Sequence, residues 1–142
     1  MSFFILIMIM VVIFFFAKKI KKAKEDKIVN SYKYNERVKR SKTKPANGKR
    51  RSKEEIKLDN VKFSEKLAER SKAYSRVEKI KQTRMGVKRY TWLTCSDEKT
   101  CPECAKNNGK TFSWDNPPPT GHPGEGKSCP NGHCRCIPLA KF

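Results

Sequence analysis

Charged side chains are absent from the first seventeen residues of this 142-residue sequence, and large apolar side chains are scarce in the remainder. Acidic residues are also few, since 14 Asp and Glu stand against 33 Lys and Arg, for a net charge of +19. This distribution excludes a large core and allows at most one ordinary domain. It predicts four segments: a transmembrane anchor (1–20), a basic flexible linker (21–51), an amphipathic helical stem (52–88) and a Cys-rich module (89–142).

The anchor is predicted from the run Phe3–Ala17, which is apolar without interruption. As a helix the run would be about 22 Å long, shorter than a hydrocarbon core of about 30 Å. Ile20 and the aliphatic stems of Lys18 and Lys19 extend it towards spanning length. A cleaved signal peptide would open with positive charge and close with small residues, and this run does neither. A signal peptide and a buried core helix are the alternatives, although the chain has little apolar surface to enclose the latter.

The basic residues that follow the run predict the orientation of the anchor. Because no charge precedes residue 18, the positive-inside rule places the N-terminus outside and everything after residue 20 in the cytoplasm. The same charges suit anionic lipid or the phosphates of a nucleic acid, or they serve only as a solvated surface. Aromatic side chains for base stacking are limited to Tyr32 and Tyr34, so nucleic-acid binding would be nonspecific. The predicted contact residues are Lys18, Lys19, Lys21, Lys22, Lys49, Arg50 and Arg51.

The stem is predicted from helix signals that resume after the linker. Residues 41–51 contain helix breakers and no large apolar side chain, which is typical of a flexible connection. Ser52 and Glu55 then fit a capping box, and apolar residues recur at spacings of three, four and seven. One or two amphipathic helices are therefore expected over 52–84, closed by Gly86 in the left-handed conformation.

All six cysteines lie in the last segment, where Cys101 and Cys104 form a CxxC pair and a second cluster follows. This layout predicts a split zinc site. Thiols are available for a metal in a reducing cytoplasm, whereas six cysteines outside the cell would form three disulfides. Because zinc needs four ligands, the ligand set stays open among Cys101, Cys104, His122, Cys129, Cys134 and Cys136.

Two catalytic interpretations of this segment have less support. A redox CxxC would begin a helix in a strand–helix setting, and the Asn107-Asn108-Gly109 sequence argues against a long helix there. A hydrolytic zinc would need an open coordination position and a general base, for which Glu103 and Glu125 are candidates by residue type only. We therefore predict that the protein is not an enzyme.

The fold of the last segment is predicted to be a small, loop-rich α+β module tied together by a metal. Thr111–Trp114 follows Asn108-Gly109 as the second arm of a β-hairpin. Pro117, Pro118 and Pro119 then force an extended return to the second cysteine cluster.

Residues 65 to 142 contain a characteristic order of motifs, namely Tyr90-Thr91-Trp92-Leu93-Thr94, Asp97, the CxxC, Gly109-Lys110-Thr111-Phe112, Pro117-Pro118, His122-Pro123 and Cys134-Arg135-Cys136. This order resembles the phage head-morphogenesis domain of the Mu protein F-like minor head proteins. The resemblance implies a minor capsid or head-assembly role beside portal protein and DNA, without catalysis. It also implies that position 104, His122, Cys134 and Cys136 form a shared metal or structural cluster.

Two features depart from that family. We expect the chain to lack the long N-terminal region of a minor head protein and to carry an anchor that a packaged protein does not require. We therefore expect a relocated module of prophage origin. It would act as a membrane-anchored binding protein with a protein partner and no small-molecule substrate. The alternatives are a small zinc-dependent toxin or nuclease-like effector, and an exported disulfide-stapled protein.

Overall fold

The computed structural model of the protein describes residues 2–40, 42, 44–45, 48 and 50–142. The chain divides into two compact units, of which the first ends at Lys33 and the second begins at Tyr34. Helix and strand bounds confirm the predicted small α+β class with an N-terminal apolar helix. The elements are α1 (Ser2–Ser31), α2 (Lys53–Arg84), β1 (Arg89–Leu93), α3 (Pro102–Asn107), β2 (Thr111–Ser113), a 3-10 helix (Pro130–Gly132) and β3 (Ile137–Lys141).

The first unit is the single helix α1, which is long and apolar enough to cross a membrane. A signal sequence near an N-terminus has the same length and composition. The helix continues to Ser31, well beyond the predicted end of the anchor at residue 20. No Gly or Pro interrupts residues 18–31, so the helical backbone persists through this charged segment. The beginning of the predicted linker is therefore helical.

The second unit begins with residues that contact α2. The hydroxyl of Tyr34 donates to Glu78 Oε1 over 2.9 Å, and the Arg40 guanidinium lies 4.7 Å from the centre of the Phe63 ring. Arg51 forms a 2.8 Å ion pair with the buried carboxylate of Asp59. Tyr34, Arg40 and Arg51, which lie in the segment predicted as a flexible linker, therefore contact α2, and the boundaries of the four segments stay predictions.

The stem is one helix, α2, rather than two. The predicted capping box is present, because the Ser52 side chain accepts from Glu55 N–H and the Glu55 carboxylate accepts from Ser52 N–H. Gly86 has φ +81°, and Val87 N–H donates to Gln82 O over 2.9 Å, which is the Schellman closure of a helix. This ending places Val87 in the core and directs the chain into β1.

A three-stranded antiparallel sheet with the order β2-β1-β3 follows α2. β2 is the predicted hairpin arm, and it pairs with β1, but α3 lies in the connection between them. β3 was not predicted, and it pairs with β1 along the whole of that strand. The core of the unit is aromatic, since Tyr90, Trp92 and Trp114 are fully buried. The sheet and α2 thereby form a platform for the cysteine-containing loops.

Gln82 joins α2 to the sheet and to the aromatic core. Its side chain donates to Pro138 O over 2.9 Å and accepts from Trp114 Nε1 over 3.2 Å. Gly124, at φ +89°, brings a loop against the same helix, and a Cβ there would lie 2.9 Å from Ser71 O. The loop therefore needs glycine at this position both for its backbone angle and for its close approach.

Candidate metal centre

Three short elements bring the cysteines of the second unit together. Cys101 is the N-cap of α3 and Cys104 lies in the first turn of that helix. Cys129 precedes the 3-10 helix, and Cys134 and Cys136 lie on the segment that leads into β3. Four of these cysteines are buried and Cys129 is half-buried. Residues that are far apart in sequence thus converge on one small volume.

The distances between the sulfurs suit a shared ion. Cys129 Sγ lies 3.5 Å from Cys101 Sγ and 3.5 Å from Cys104 Sγ. Cys104 Sγ lies 3.9 Å from Cys134 Sγ. In a tetrahedral zinc site with bonds of about 2.3 Å, neighbouring sulfurs are about 3.8 Å apart, whereas a disulfide bond is about 2.05 Å long. These cysteines are free thiols at metal-site spacing rather than bonded pairs.

The sulfurs form two groups of three that share Cys104. One group contains Cys101 and Cys129, the other contains Cys134 and Cys136, and within each group the sulfurs lie within 4.8 Å of one another. A small cavity of about 20 Å³ opens beside them. The five sulfurs predicted from sequence are therefore positioned to hold a metal ion, with Cys104 common to both groups.

Hydrogen-bond donors surround these sulfurs in the manner expected for thiolates. The backbone N–H of Cys104 donates to Cys101 Sγ over 3.3 Å, and Gly124 N–H donates to Cys134 Sγ over 3.4 Å. The buried Trp92 Nε1 has no hydrogen-bond partner in the described part of the chain, although it lies in the same cluster as Cys136. Donors of this kind stabilise negative charge on metal-bound sulfur, so the residues present fit a cation.

Burial and mutual contact shift the pKa values of the clustered thiols in both directions. Hydrogen bonding with Cys136 lowers the pKa of Cys134 to about 5 despite burial. Burial is the main cause that raises the pKa of Cys104 to about 12, and it also raises the pKa of Cys129. The pKa of Cys136 is raised mainly by its contact with Cys134. One thiol in this group thus ionises readily on its own, and a bound cation would allow others to ionise.

An ion pair connects the two cysteine segments at the surface. The Arg135 guanidinium, between Cys134 and Cys136, donates to both carboxylate oxygens of Asp97. The same carboxylate accepts from Lys99 N–H and from the Thr100 hydroxyl, which orders the loop before Cys101. This structural role of Asp97 was missed from sequence, because no spacing rule relates residues that are 38 positions apart.

Comparison with protein families matches residues 17–137 to the family described as phage Mu protein F like protein. That range covers most of the chain. The chain belongs to the phage Mu protein F-like family. The match begins well before residue 65, where the resemblance in motifs starts, so it also includes the basic segment and α2. Neither the curated proteins nor the solved structures give a match.

In this Mu F-like chain the structure does not bring His122 to the sulfurs. The ring lies between Tyr90 and Trp114, with Nδ1 2.9 Å from Tyr90 Oη and Nε2 3.4 Å from Lys79 Nζ. Because an ammonium only donates, Nε2 accepts and Nδ1–H donates to the phenol oxygen. Burial, followed by the charge of Lys79, lowers the pKa of His122. Both ring nitrogens thus have protein partners, and His122 belongs to neither sulfur group.

Cys95 and His133 lie beside the cluster without joining either sulfur group. Cys95 is exposed, and its thiol lies 3.5 Å from the carbonyl oxygen of Arg135. His133 lines the small cavity next to Cys134, and burial lowers its pKa. Cys95 is therefore a matched control for substitutions of the clustered cysteines.

The basic residues predicted to contact lipid or nucleic acid have different surroundings. Lys18, Lys19, Lys21 and Lys22 lie on α1, directly after the apolar run. Arg50 is exposed, Arg51 is paired with Asp59, and Lys49 lies outside the described residues.

A further basic feature of this Mu F-like chain was not predicted. A groove of about 610 Å³ lies between α2 and the loop that precedes the 3-10 helix. Lys72, Arg76 and Lys127 line it, and Glu125, the acidic residue among its described lining residues, lies 3.5 Å from Lys127 Nζ. Sequence reasoning missed the groove because its charges come from segments that are distant in the chain.

Proposed function

We propose that the protein is a membrane-anchored, non-enzymatic module of the phage head structural type, in which the cysteine cluster binds one structural zinc ion. Its basic surfaces contact an anionic partner. The observation that carries this proposal is the convergence of five thiols from three separate elements, at distances of 3.5 to 3.9 Å for the closest pairs. Family membership supports the structural role, since Mu F-like proteins are head-morphogenesis proteins.

Zinc is favoured by the chemistry of the donors. Every side chain in the two groups is a cysteine, and soft thiolate ligands in a tetrahedral arrangement suit zinc better than the hard cations that prefer oxygen. Four sulfurs would fill the coordination sphere and leave no open position for a substrate or an activated water. Glu103, one candidate general base, forms a surface ion pair with Lys106 over 2.9 Å. These features support a structural role for the metal.

Anchoring is supported by α1. All of its described apolar side chains from Phe3 to Phe16 are exposed, and such a surface needs an apolar phase. The lysines that follow would lie on the cytoplasmic side under the positive-inside rule, with the N-terminus outside. In that orientation the cysteines face a reducing compartment, which keeps thiols available for a metal.

The proposed anionic partner is supported by the groove on the second unit. Lys72 and Arg76 lie one helical turn apart on α2, and Lys127 faces them from the loop, so three cations oppose the single carboxylate of Glu125. Residues at that helical spacing have Cβ atoms about 5–6 Å apart, which allows them to contact neighbouring phosphates together. A phosphate-rich partner, either a nucleic acid or a lipid surface, therefore fits this side of the module.

The metal proposal is tested on the full-length chain purified in detergent under reducing conditions. We expect about one zinc ion per chain by elemental analysis. Cys104→Ser removes the thiol that both groups share, so it should abolish zinc binding and the cooperative thermal transition of the second unit. The loss is large because structural zinc contributes on the order of 10 kcal/mol to the folding of small domains.

The matched control is Cys95→Ser, which changes an exposed thiol outside both groups. This variant should keep both the zinc and the transition. The proposal fails if Cys104→Ser melts like the wild-type chain with the same zinc content. It also fails if the thiols of protein isolated from its own cell are bonded to each other.

A further inference from the structure

Trp92 contains an unsatisfied polar group in the described part of the chain. The side chain is 1 % exposed at the centre of the sheet, and its Nε1 has no hydrogen-bond partner. Trp114, the other tryptophan, is equally buried, and its Nε1 donates to Gln82 Oε1. Because buried polar groups are nearly always paired, the unpaired N–H of Trp92 calls for an acceptor close to it.

The pairing of β1 with β3 identifies that acceptor. Trp92 lies opposite Pro138, and both residues are on the buried face of the sheet. Side chains alternate along a strand, so Cys136, two residues before Pro138, continues the same face. It is the diagonal neighbour of Trp92, at a separation that a long aromatic side chain can bridge. Trp92 and Cys136 belong to the same buried cluster.

The chemistry of sulfur agrees with this placement. A neutral thiol is a weak acceptor, whereas a metal-bound thiolate carries charge and accepts a stronger hydrogen bond. Backbone N–H groups already donate to Cys101 and Cys134. A hydrogen bond from a side chain to Cys136 Sγ would stabilise negative charge on that sulfur in the same way.

We propose that Trp92 is a positioning residue of the metal centre, whose indole N–H donates to the metal-bound thiolate of Cys136. The inference rests on the proposed metal site and adds to it that Cys136 is one of the ligands. Trp92 thereby couples the centre of the sheet to the metal, since the residue that fills the core also orients a ligand. The other ligands come from Cys101, Cys104, Cys129 and Cys134, whose sulfurs complete the two groups that share Cys104.

The test compares zinc affinity in full-length variants by competition with a chromogenic chelator. Trp92→Phe keeps an aromatic ring and removes the N–H. We expect it to lose affinity by about 10- to 100-fold, the usual effect of removing a hydrogen-bond donor to a metal ligand. Trp114→Phe is the matched control, because it removes an equally buried indole whose N–H bonds Gln82, and it should keep the wild-type affinity.

Two further measurements separate positioning from packing. Replacement of Trp92 by benzothienylalanine, an isostere without the N–H, should reproduce the affinity loss without changing the size of the core. In the wild-type chain, the NMR signal of the Trp92 indole proton should shift and become protected from exchange when zinc is added. Cys136→Ser should abolish that protection, whereas Cys95→Ser, which changes an exposed thiol outside both sulfur groups, should keep it.

The outcomes distinguish this inference from the proposed function. If the wild-type chain binds no zinc, the metal centre itself is wrong and the inference fails with it. If the wild-type chain binds zinc but Trp92→Phe and the isostere keep its affinity, only the role of Trp92 is wrong. Protection of the indole proton that persists in Cys136→Ser would likewise overturn the assignment of its partner.

Discussion

The two units of the molecule place their apolar surface in opposite ways. In α1 the large side chains from Phe3 to Phe16 are 42 to 77 % exposed, although they form the longest apolar run of the chain. In the second unit Tyr90, Trp92 and Trp114 are at most 1 % exposed, and few aliphatic side chains accompany them. The first unit therefore depends on apolar surroundings for its stability. The second unit depends on specific interactions between its own segments.

This difference explains why the second unit contains so many polar links around so small a core. Burial of three aromatic rings with Val77 and Val87 is little for a unit that begins at Tyr34 and ends at Phe142. Small domains of this kind usually add metals or disulfides to the contribution of their core. The sulfur groups, the Gln82 side chain and the Asp97–Arg135 ion pair are the corresponding features here.

The largest effect is expected from placing charge in the apolar run. The double variant Ile9→Arg with Val12→Arg should move the protein out of carbonate-washed membranes, because each arginine at the centre of a spanning helix costs about 2.5–3.5 kcal/mol. The control, Ile28→Arg with Val29→Arg, changes the charged end of the same helix and should stay in the membrane fraction. Intact mass should show that the N-terminal residues are retained.

The proposal that α1 anchors the protein in a membrane is wrong under either of two results. One is a double-arginine variant that remains in the membrane fraction as the wild type does. The other is a mature protein without its first 20 or so residues, which would identify α1 as a cleaved signal sequence. In either case the exposed side chains of α1 would need another explanation.

A smaller effect is expected at Gln82, which connects α2 to the sheet of the second unit. Gln82→Met keeps the length of the side chain and leaves Trp114 Nε1 and Pro138 O without their partners. The free energy of unfolding of the zinc-loaded chain should fall by about 2–4 kcal/mol, since each unsatisfied buried group costs about 1–3 kcal/mol. Urea unfolding followed by tryptophan fluorescence measures this loss. Glu69→Met, on the exposed side of α2, should stay within about 0.5 kcal/mol of the wild type.

Equal stability of Gln82→Met and the wild-type chain would show that these hydrogen bonds contribute little to the second unit. The stability of that unit would then come almost wholly from the metal and the aromatic rings.

Local signals in the sequence predicted local structure correctly. The capping box of Ser52 and Glu55 and the helix end at Gly86 involve residues a few positions apart, so their chemistry is readable from the sequence. The cysteine spacing likewise identified the five sulfurs that converge, because few other arrangements use thiols so densely. The overall α+β class and the family resemblance were confirmed for the same reason.

Features that depend on distant residues could not be predicted. β3 was not predicted, and a proline such as Pro138 weakens the strand signal of residues 137–141; the strand lies at the edge of the sheet, where a missing N–H is tolerated. Pro102 after Cys101 was an available signal for the start of α3, since proline suits the first turn of a helix. His122 was a candidate ligand both from its position near the second cysteine cluster and from the family resemblance, but its partners Tyr90 and Lys79 come from other elements. No spacing rule in the sequence describes these contacts.

The smallest effect is expected from the ion pair that connects the two cysteine segments. Hydrogen bonding from Arg135 lowers the pKa of Asp97 to about 2, whereas an unfolded Asp has a pKa of about 3.9. A depressed pKa in the folded state means that the contribution is complete above about pH 4 and is lost as the pH falls towards 2. Asp97→Asn should therefore lower the melting temperature slightly.

The difference in melting temperature between the wild type and Asp97→Asn should also have a defined pH dependence. With excess zinc present, the gap in melting temperature between wild type and Asp97→Asn should be the same at pH 7 and pH 5, because the carboxylate is ionised at both values. Glu98→Gln, a neighbouring exposed carboxylate, is the matched control and should melt as the wild type does. A gap that closes by pH 5 would show that Arg135 does not hold the Asp97 carboxylate in solution. The loop before Cys101 would then depend on the metal alone for its position.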